Sequence, residues 1–469
     1  MRLSMIYSEA FEAMMRAEGL SEDVVHTFVN YYVKYVNGER GKLGRDMISP
    51  PEESKVENYG NLTNIDSSLF SKLVICKLNG GLGTSMGLTK AKSLLPVFLS
   101  DNNEEITFLD IILKQIIRLK ENNKVNPIFM LMNSYNTNDD TLDAISKYNF
   151  LKEQSIAYHF IQNKYPRIRK SDNKPLDSED KNQNWNPPGH GDIYTALSGS
   201  GLLDELLDNG IEYMFVSNSD NLGATADIKI LTWMAETKIP FVMEVCQRTE
   251  MDKKGGHLAQ DNTGQLLLRE VAQCPDDEIE QFQNIKLYSY FNTNSLWINL
   301  IVLKEILISK ENTMDLPLIV NPKVVDGEEV IQLETAMGAA ISVFRGSKAI
   351  EVPRSRFIPV KKTDDLLLLW LGIYKADSED NIVLNRAFKV KPNISLDSEY
   401  FKTVDDLYER IGKTKPNLEH CTGLRIQGNV FIGENVSMVG DVDVIGTDHP
   451  YTINNRVLEG YTLCHPSRI

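Results

Sequence analysis

The chain has 469 residues, 42% hydrophobic and 25% charged, the balance of a globular protein with room for two or three domains. Its formal net charge of −15 excludes a general nucleic-acid-binding surface, which needs a basic footprint, but not a local basic pocket for phosphate. Five scattered cysteines with no C-x-x-C pair exclude zinc-ribbon and thioredoxin-like readings and suit a reducing compartment. The first nine residues lack an apolar signal core, and the longest apolar run, 366–374, falls far short of the roughly 20 residues of a membrane span. The expected location is the cytoplasm, without membrane or nucleic-acid partners.

In chain order, Phe11, Met14 and Met15, then Val25, Phe28, Val29, Tyr32, Val33 and Val36, recur at helical spacing, which predicts helices up to about residue 37. Residues 38–64 are polar, contain Pro50-Pro51 and read as a linker or surface strap. From Ser71 onward strands alternate with helices. Apolar runs at 73–77, 127–132, 213–216 and 240–245 predict strands buried on both faces, and 109–120 and 228–235 carry helical periodicity. This order predicts an α/β domain with a mostly parallel sheet, whose ligands sit at the carboxyl ends of the strands. In the tail, glycines recur between short β-rich segments over 424–446, a pattern of parallel β-helix coils, with a β-meander as the alternative. The expected division is 1–64, an N-terminal helical segment and linker; 65–380, a catalytic domain; and 381–469, a linker and C-terminal β domain.

The first predicted strand of the α/β region breaks into Leu78-Asn79-Gly80-Gly81-Leu82-Gly83-Thr84-Ser85-Met86-Gly87, with Lys92-Ser93 close behind. Dense glycines let the backbone turn sharply and aim bare N–H groups into one space, which beside a lysine suits a polyphosphate. The loop is no P-loop, because Leu88 and Thr89 follow Gly87 where lysine is required. It is no dinucleotide fingerprint either, since Met86 takes the place of the third glycine. A ligand-free strand-to-helix turn accounts for the glycines equally well when the loop is taken alone.

Other segments change that balance. Asp220 follows a strand in Ser217-Asn218-Ser219-Asp220-Asn221-Leu222-Gly223, and a strand-end carboxylate beside a phosphate loop suits Mg²⁺. Taken alone it reads as a turn former. His190 sits in Pro187-Pro188-Gly189-His190-Gly191-Asp192, where two prolines fix the approach and two glycines let the ring near a ligand as donor or base. In Val352 to Lys362 basic residues interleave with Phe357, Ile358 and Val360. An inward Lys361 would clamp phosphate, and a solvated face is the equal alternative. Lys254-Gly255-Gly256 and Phe291-Asn292-Thr293-Asn294 offer close backbone approach and amides that suit sugar hydroxyls, or plain loops. No Ser/His/Asp elbow, zincin or kinase signature is present.

These motifs, together with Tyr165-Pro166-Arg167-Ile168, Gln332-Leu333-Glu334-Thr335-Ala336 and Val352-Pro353-Arg354-Ser355-Arg356-Phe357, resemble the eukaryotic-type UTP–glucose-1-phosphate uridylyltransferases (UDP-glucose pyrophosphorylases), in the family's order from about residue 40 to 445. The resemblance implies an α/β fold: a glycosyltransferase-A-like nucleotidyltransferase domain with a mixed, mostly parallel sheet, and a C-terminal parallel, left-handed β-helix. It implies UTP and glucose-1-phosphate as substrates, UDP-glucose and pyrophosphate as products, and Mg²⁺ as cofactor. By motif, Leu78, Asn79, Gly80, Gly81 and Gly83 would hold UTP, and Lys92 would contact its phosphates. Gln162 and Gly189 would read uracil, His190 would hold the sugar phosphate, and Asp220 would bind Mg²⁺ and nucleotide. Lys361 would stabilise the triphosphate, and Asn218, Gly256, Glu270 and Asn292 would contact ribose or glucose. Lys361 and Lys92 would carry catalysis by in-line attack of the sugar phosphate on the α-phosphorus.

The chain departs from the family in two places. Lys90-Ala91 precede Lys92-Ser93 where the family commonly has a proline before the lysine, and residues 447–469 do not match the family's tail. That tail shapes oligomers in the family, so a homo-oligomer through the C-terminal domain stays an open expectation. The alternatives are a uridylyltransferase for another sugar-1-phosphate (galactose or N-acetylglucosamine) and a non-catalytic sugar-nucleotide-binding protein.

Overall fold

The computed structural model describes residues 2–99, 105–378 and 380–463. The core is a mixed sheet built on eight strands: β1 (Val56–Asn58), β2 (Leu73–Asn79), β3 (Ile128–Asn133), β4 (His159–Ile161), β5 (Tyr213–Asn218), β6 (Phe241–Gln247), β7 (Tyr290–Asn299) and β8 (Lys348–Glu351). Their spatial order is β1-β8-β6-β7-β5-β2-β3-β4. Only β7 runs antiparallel to its neighbours β5 and β6; every other pairing along the row is parallel. The expected mostly parallel sheet is therefore present, and the predicted strands and helices fall where the apolar runs placed them. Each central strand is apolar on both faces because helices cover both sides. Leu73 and Ile75 pack on one side with α1 (Phe108–Asn123) and α2 (Ile228–Thr237), and Val74, Cys76 and Leu78 pack on the other.

One of the alternatives, the plain loop, falls away in this sheet. Phe291-Asn292-Thr293-Asn294 is not a loop but lies inside β7, with a register shift opposite Glu244/Val245. Such an irregularity re-aims side chains next to a site.

The strap of residues 38–64 lies on the sheet, with Ile48–Ser49 pairing His257–Asp261 and β1 pairing β8. The helices Arg2–Ala17 and Glu22–Val36 form their own aromatic core around Phe11, Phe28 and Tyr32, closed by Tyr165 and Trp185. In the tail, Asn393–Leu396, Asn417–Gln427, Val436–Ile445 and Arg456–Leu463 form a four-stranded, wholly parallel ladder, and Val430–Ile432 pairs Tyr451–Ile453 in parallel. Parallel pairing of nearby short strands excludes the meander, which would be antiparallel. Among the described residues, no helix is long and apolar enough to cross a membrane. Cys76, Cys246, Cys274 and Cys421 are free and buried; Cys464 lies outside the described residues.

Candidate active site

The parallel register brings several strand ends level. Asn218 pairs Leu78, and Asn79 pairs Asn133, so β5, β2 and β3 finish along one rim. A cleft of about 300 Å³ opens there, lined by Leu78, Gly80, Gly81, Lys92, Met132, Gln162, Pro187, Gly189, His190, Asn218, Ser219 and Asp220. A parallel sheet places its ligand at the strands' carboxyl ends. Most of these residues are ones that the sequence had already singled out.

The glycine loop is held from behind. The Ser219 hydroxyl donates to the Leu78 carbonyl at 2.7 Å, and the Ser134 hydroxyl donates to that of Gly80 at 2.9 Å. The buried Asn79 amide donates to Asn133 Oδ1 and Thr141 Oγ1 at 2.8 and 2.9 Å. Asn79 therefore anchors the loop without lining the cleft. Gly83 also sits back from it, its N–H donating to the Lys90 carbonyl at 3.1 Å. The Lys92 N–H donates to the Gly81 carbonyl at 3.0 Å, which folds the loop onto itself and delivers the lysine to the cleft without the proline.

There Lys92 Nζ donates to Asp220 Oδ2 at 2.6 Å, both side chains 19% exposed. The pair sets a cation and a carboxylate on one wall. Mg²⁺ is commonly held by one or two carboxylates, substrate phosphates and water. Among the described residues no group of three or more His, Cys, Asp or Glu could hold a metal. Asp220 is a lone carboxylate with one oxygen on Lys92; this donor set fits an ion that arrives with a polyphosphate.

Across the cleft, the turn carrying Gly189 and His190 is stitched to Thr335, the residue just past the strand Glu328–Glu334. The Thr335 N–H donates to the Pro188 carbonyl and the Gly191 N–H to that of Thr335, each at 2.9 Å. Gly189 has φ +79° and ψ 169°, and a Cβ there would fall 2.4 Å from the Thr335 carbonyl oxygen. Only glycine fits. The Asp192 carboxylate takes the Asn163 N–H at 2.6 Å, its amide at 2.9 Å and the Thr195 hydroxyl at 2.7 Å. Asp192 thereby fixes the residue next to Gln162. Its burial pushes its pKa up to about 6 against these hydrogen bonds.

His190 Nδ1 accepts the Met337 N–H at 2.9 Å. That bond places the ring proton on Nε2, which makes the cleft-facing nitrogen a donor. Enclosure by protein pushes the imidazole down to about 4, so it is neutral near pH 7. His190 is therefore suited to donate a hydrogen bond to an anionic oxygen, and not to abstract a proton through Nε2.

A second cavity of about 570 Å³ shares Gly189 and His190 and is bounded by Glu270, Asn294, Glu334 and Lys42. Gly256 and Asn292 stand beside it: a Cβ at Gly256 would fall 2.7 Å from the Glu270 carboxylate, and the Asn292 N–H donates to the Gly256 carbonyl at 3.1 Å. Burial raises the Glu270 pKa, and the Lys361 charge opposes the rise. Lys361 itself is exposed and lies outside the lining of both cavities, so of the two arrangements that alternation left open the solvated one is found. Its predecessor Val360 is tied to the Asp220 carbonyl by a 3.1 Å hydrogen bond, which keeps it on the rim. The nearby basic residues serve the fold: Arg356 pairs with the fully buried Glu244, and Arg354 with Asp252.

A family model for UTP–glucose-1-phosphate uridylyltransferase matches residues 25–439. The chain belongs to that family. It is 40% identical over 436 residues to the UTP–glucose-1-phosphate uridylyltransferase of Solanum tuberosum, covering 91% of this chain and 89% of the relative. It is 38% identical over 450 residues to UTP–glucose-1-phosphate uridylyltransferase 2 of Dictyostelium discoideum, covering 92% and 87%. Among solved structures, a Leishmania major UDP-glucose pyrophosphorylase variant in complex with UDP-glucose superposes with a TM-score of 0.89 at 39% identity, covering 97% of this chain and 99% of that one.

Sequence reasoning missed the family member's supporting residues: Asn133, Ser134, Thr141, Asn163, Asp192, Ser219, Thr335 and Met337. Asp192, Ser219 and Thr335 lay inside recognisable motifs, so their neighbours were the available signal. The others touch the site only through chain reversals that one sequence does not display.

Proposed function

We propose that the chain transfers the uridylyl group of UTP to glucose-1-phosphate, giving UDP-glucose and pyrophosphate. The observation that carries this is the Lys92–Asp220 pair facing the Gln162–Gly189 wall across one cleft. Uracil against Gln162 and Gly189 puts the phosphates beside that pair. Glucose-1-phosphate then extends past His190 toward Glu270, Gly256 and Asn292, in the adjoining cavity. The names of the relatives and the UDP-glucose complex of the Leishmania protein support the same substrates.

The nucleophile is a phosphate oxygen and needs no base, which agrees with a neutral His190 that donates. Two anions must meet, so the residues act mainly by position and charge. Lys92 neutralises the α-phosphate, the glycine-loop N–H groups hold the chain of phosphates, and Lys361 reaches them from the rim. Asp220 would hold Mg²⁺, which when bound offsets phosphate charge.

We also retain the division at residues 64 and 380, and read the parallel tail ladder as a left-handed β-helix. Its last strand, with Val457 and Tyr461 exposed, is a surface suited to self-association. The free cysteines support a cytoplasmic setting. The test is pyrophosphate release with UTP, MgCl₂ and a panel of sugar-1-phosphates. Turnover is expected on glucose-1-phosphate well above galactose- or N-acetylglucosamine-1-phosphate; release on none would overturn the proposal.

A further inference from the structure

Lys77 is a charged residue in the middle of an apolar strand, 2% exposed and unused by the cleft. Successive residues of a strand face opposite sides, so Leu78 points to the catalytic cleft and Lys77 to the back of the sheet. Its Nζ donates to Ser217 Oγ at 2.8 Å and to the Ala224 carbonyl at 2.6 Å. Both acceptors are neutral, and among the described residues no carboxylate lies within ion-pair distance of this ammonium. A buried cation without a counter-ion is costly. Burial, with Arg356 nearby, pushes its pKa down to about 7, against the more distant charges of Glu244 and Asp220.

The ammonium lines a cavity of about 380 Å³ behind the sheet. Phe70, Ile75, Ile112 and Ile116 give the cavity an apolar patch beside the polar Gln115, Asn122 and Asn123, and Arg118 and Lys229 add two more cations. Arg118 also pairs with Glu121 and Asp380, each at 3.3 Å, neither of which lines the cavity. Among the described residues the one carboxylate in the lining, Asp227, is already engaged: it takes the Tyr59 hydroxyl at 2.7 Å, caps α2 through the Lys229 and Ile230 N–H groups, and faces Arg356 at 3.7 Å. A buried ammonium with no carboxylate in ion-pair distance, held only by two neutral oxygens and the face of Phe215, stands at the wall of a cavity with an apolar patch; with two further cations there, and the one acid among its described lining residues satisfied, it makes a site for an anionic head on an apolar body.

We propose that this cavity is a second ligand site, separate from the catalytic cleft, that takes a small organic anion with an apolar body and seats its charged group against Lys77. The site sits directly behind the chemistry. Ser217 precedes Asn218, and Ala224 closes the turn that carries Asp220, so the Lys77 ammonium ties two cleft-bearing segments together. A ligand that draws on it is placed to be felt in the cleft.

The experiment is fluorine-observed NMR of para-trifluoromethylphenylacetate with the full chain, in saturating UDP-glucose so that the cleft is filled. Line broadening is expected with the wild type and at least a tenfold weaker affinity with Lys77→Met. The neutral methyl ester should show little broadening. Leu119→Trp, which fills the cavity from α1 and leaves Lys77 in place, should abolish binding while turnover stays at the wild-type level; it decides the matter if Lys77→Met does not fold. No broadening, broadening removed by UDP-glucose, or equal binding by wild type and Leu119→Trp would overturn the site.

Discussion

Gly189→Ala tests how the Gly189 wall of the cleft is built. With φ at +79° and ψ at 169°, the residue occupies a region essentially reserved for glycine, and a side chain there costs about 1–3 kcal/mol. The new Cβ would also meet backbone, 2.4 Å from the Thr335 carbonyl oxygen and 2.9 Å from its nitrogen. Neither atom can swing away as a side chain could. Relief must separate the turn from residue 335 and weaken the hydrogen bonds that join Pro188, Thr335 and Gly191, worth about 0.5–1.5 kcal/mol each. The sum, about 2–6 kcal/mol, is a large part of a typical domain's stability of about 5–15 kcal/mol, so the variant should fold with a clearly lower Tm. Because Gly189 and His190 line the cleft, the displaced turn should raise the KM for UTP about tenfold or more. The assay is thermal unfolding beside steady-state kinetics on the same preparation. A variant with wild-type Tm and KM would refute the reasoning, because it would mean that the turn accepts a side chain without moving.

The same geometry sets further outcomes. Lys361→Ala should lower kcat about a hundredfold while stability changes by no more than about 0.5 kcal/mol, since the side chain is exposed; near-normal turnover would remove Lys361 from the chemistry. His190 should titrate near pH 4 and hold its proton on Nε2 at neutral pH, as read by nitrogen-resolved NMR of the imidazole; titration near 6.5 would contradict the enclosed ring whose Nδ1 accepts the Met337 N–H. Its folded pKa lies below the unfolded value, so between the two the unfolded chain binds more protons. The neutral ring's contribution to stability is thus complete above about pH 6.5 and is lost as pH falls toward 4. With a chiral α-thio UTP, configuration at phosphorus should invert, as one in-line displacement requires; retention would point to a uridylyl-enzyme.

The parts of this protein legible in sequence are those where local pattern and tertiary role coincide. β2, β3, β5 and β6 could be read because strands buried on both faces are continuous apolar runs. The loop from Leu78 to Gly83 could be read because glycine is required for close backbone approach. β7 escaped because Asn292, Thr293 and Asn294 look like a polar turn, although the Thr293 hydroxyl is satisfied by the Glu244 carbonyl at 2.8 Å on the next strand. The run Arg354 to Lys362 stayed undecided because charge alternation says nothing of partners; Arg354 and Arg356 are spent on Asp252 and Glu244, about a hundred residues away in the chain. The anchors of the glycine loop were hidden for the same reason, since Asn79 finds Asn133 and Thr141 only after β2 and β3 pair.

The central claim is that one cleft at the carboxyl ends of β2 and β5 holds the sugar nucleotide. A crystal structure with bound UDP-glucose tests it most directly. The account predicts uracil within hydrogen-bond distance of Gln162 and Gly189, the diphosphate beside Lys92 and Asp220, and the sugar past His190 against Glu270. Uridine density away from the loop of Gly80 and Gly81, or a diphosphate that leaves Lys92 and Asp220 untouched, would contradict it.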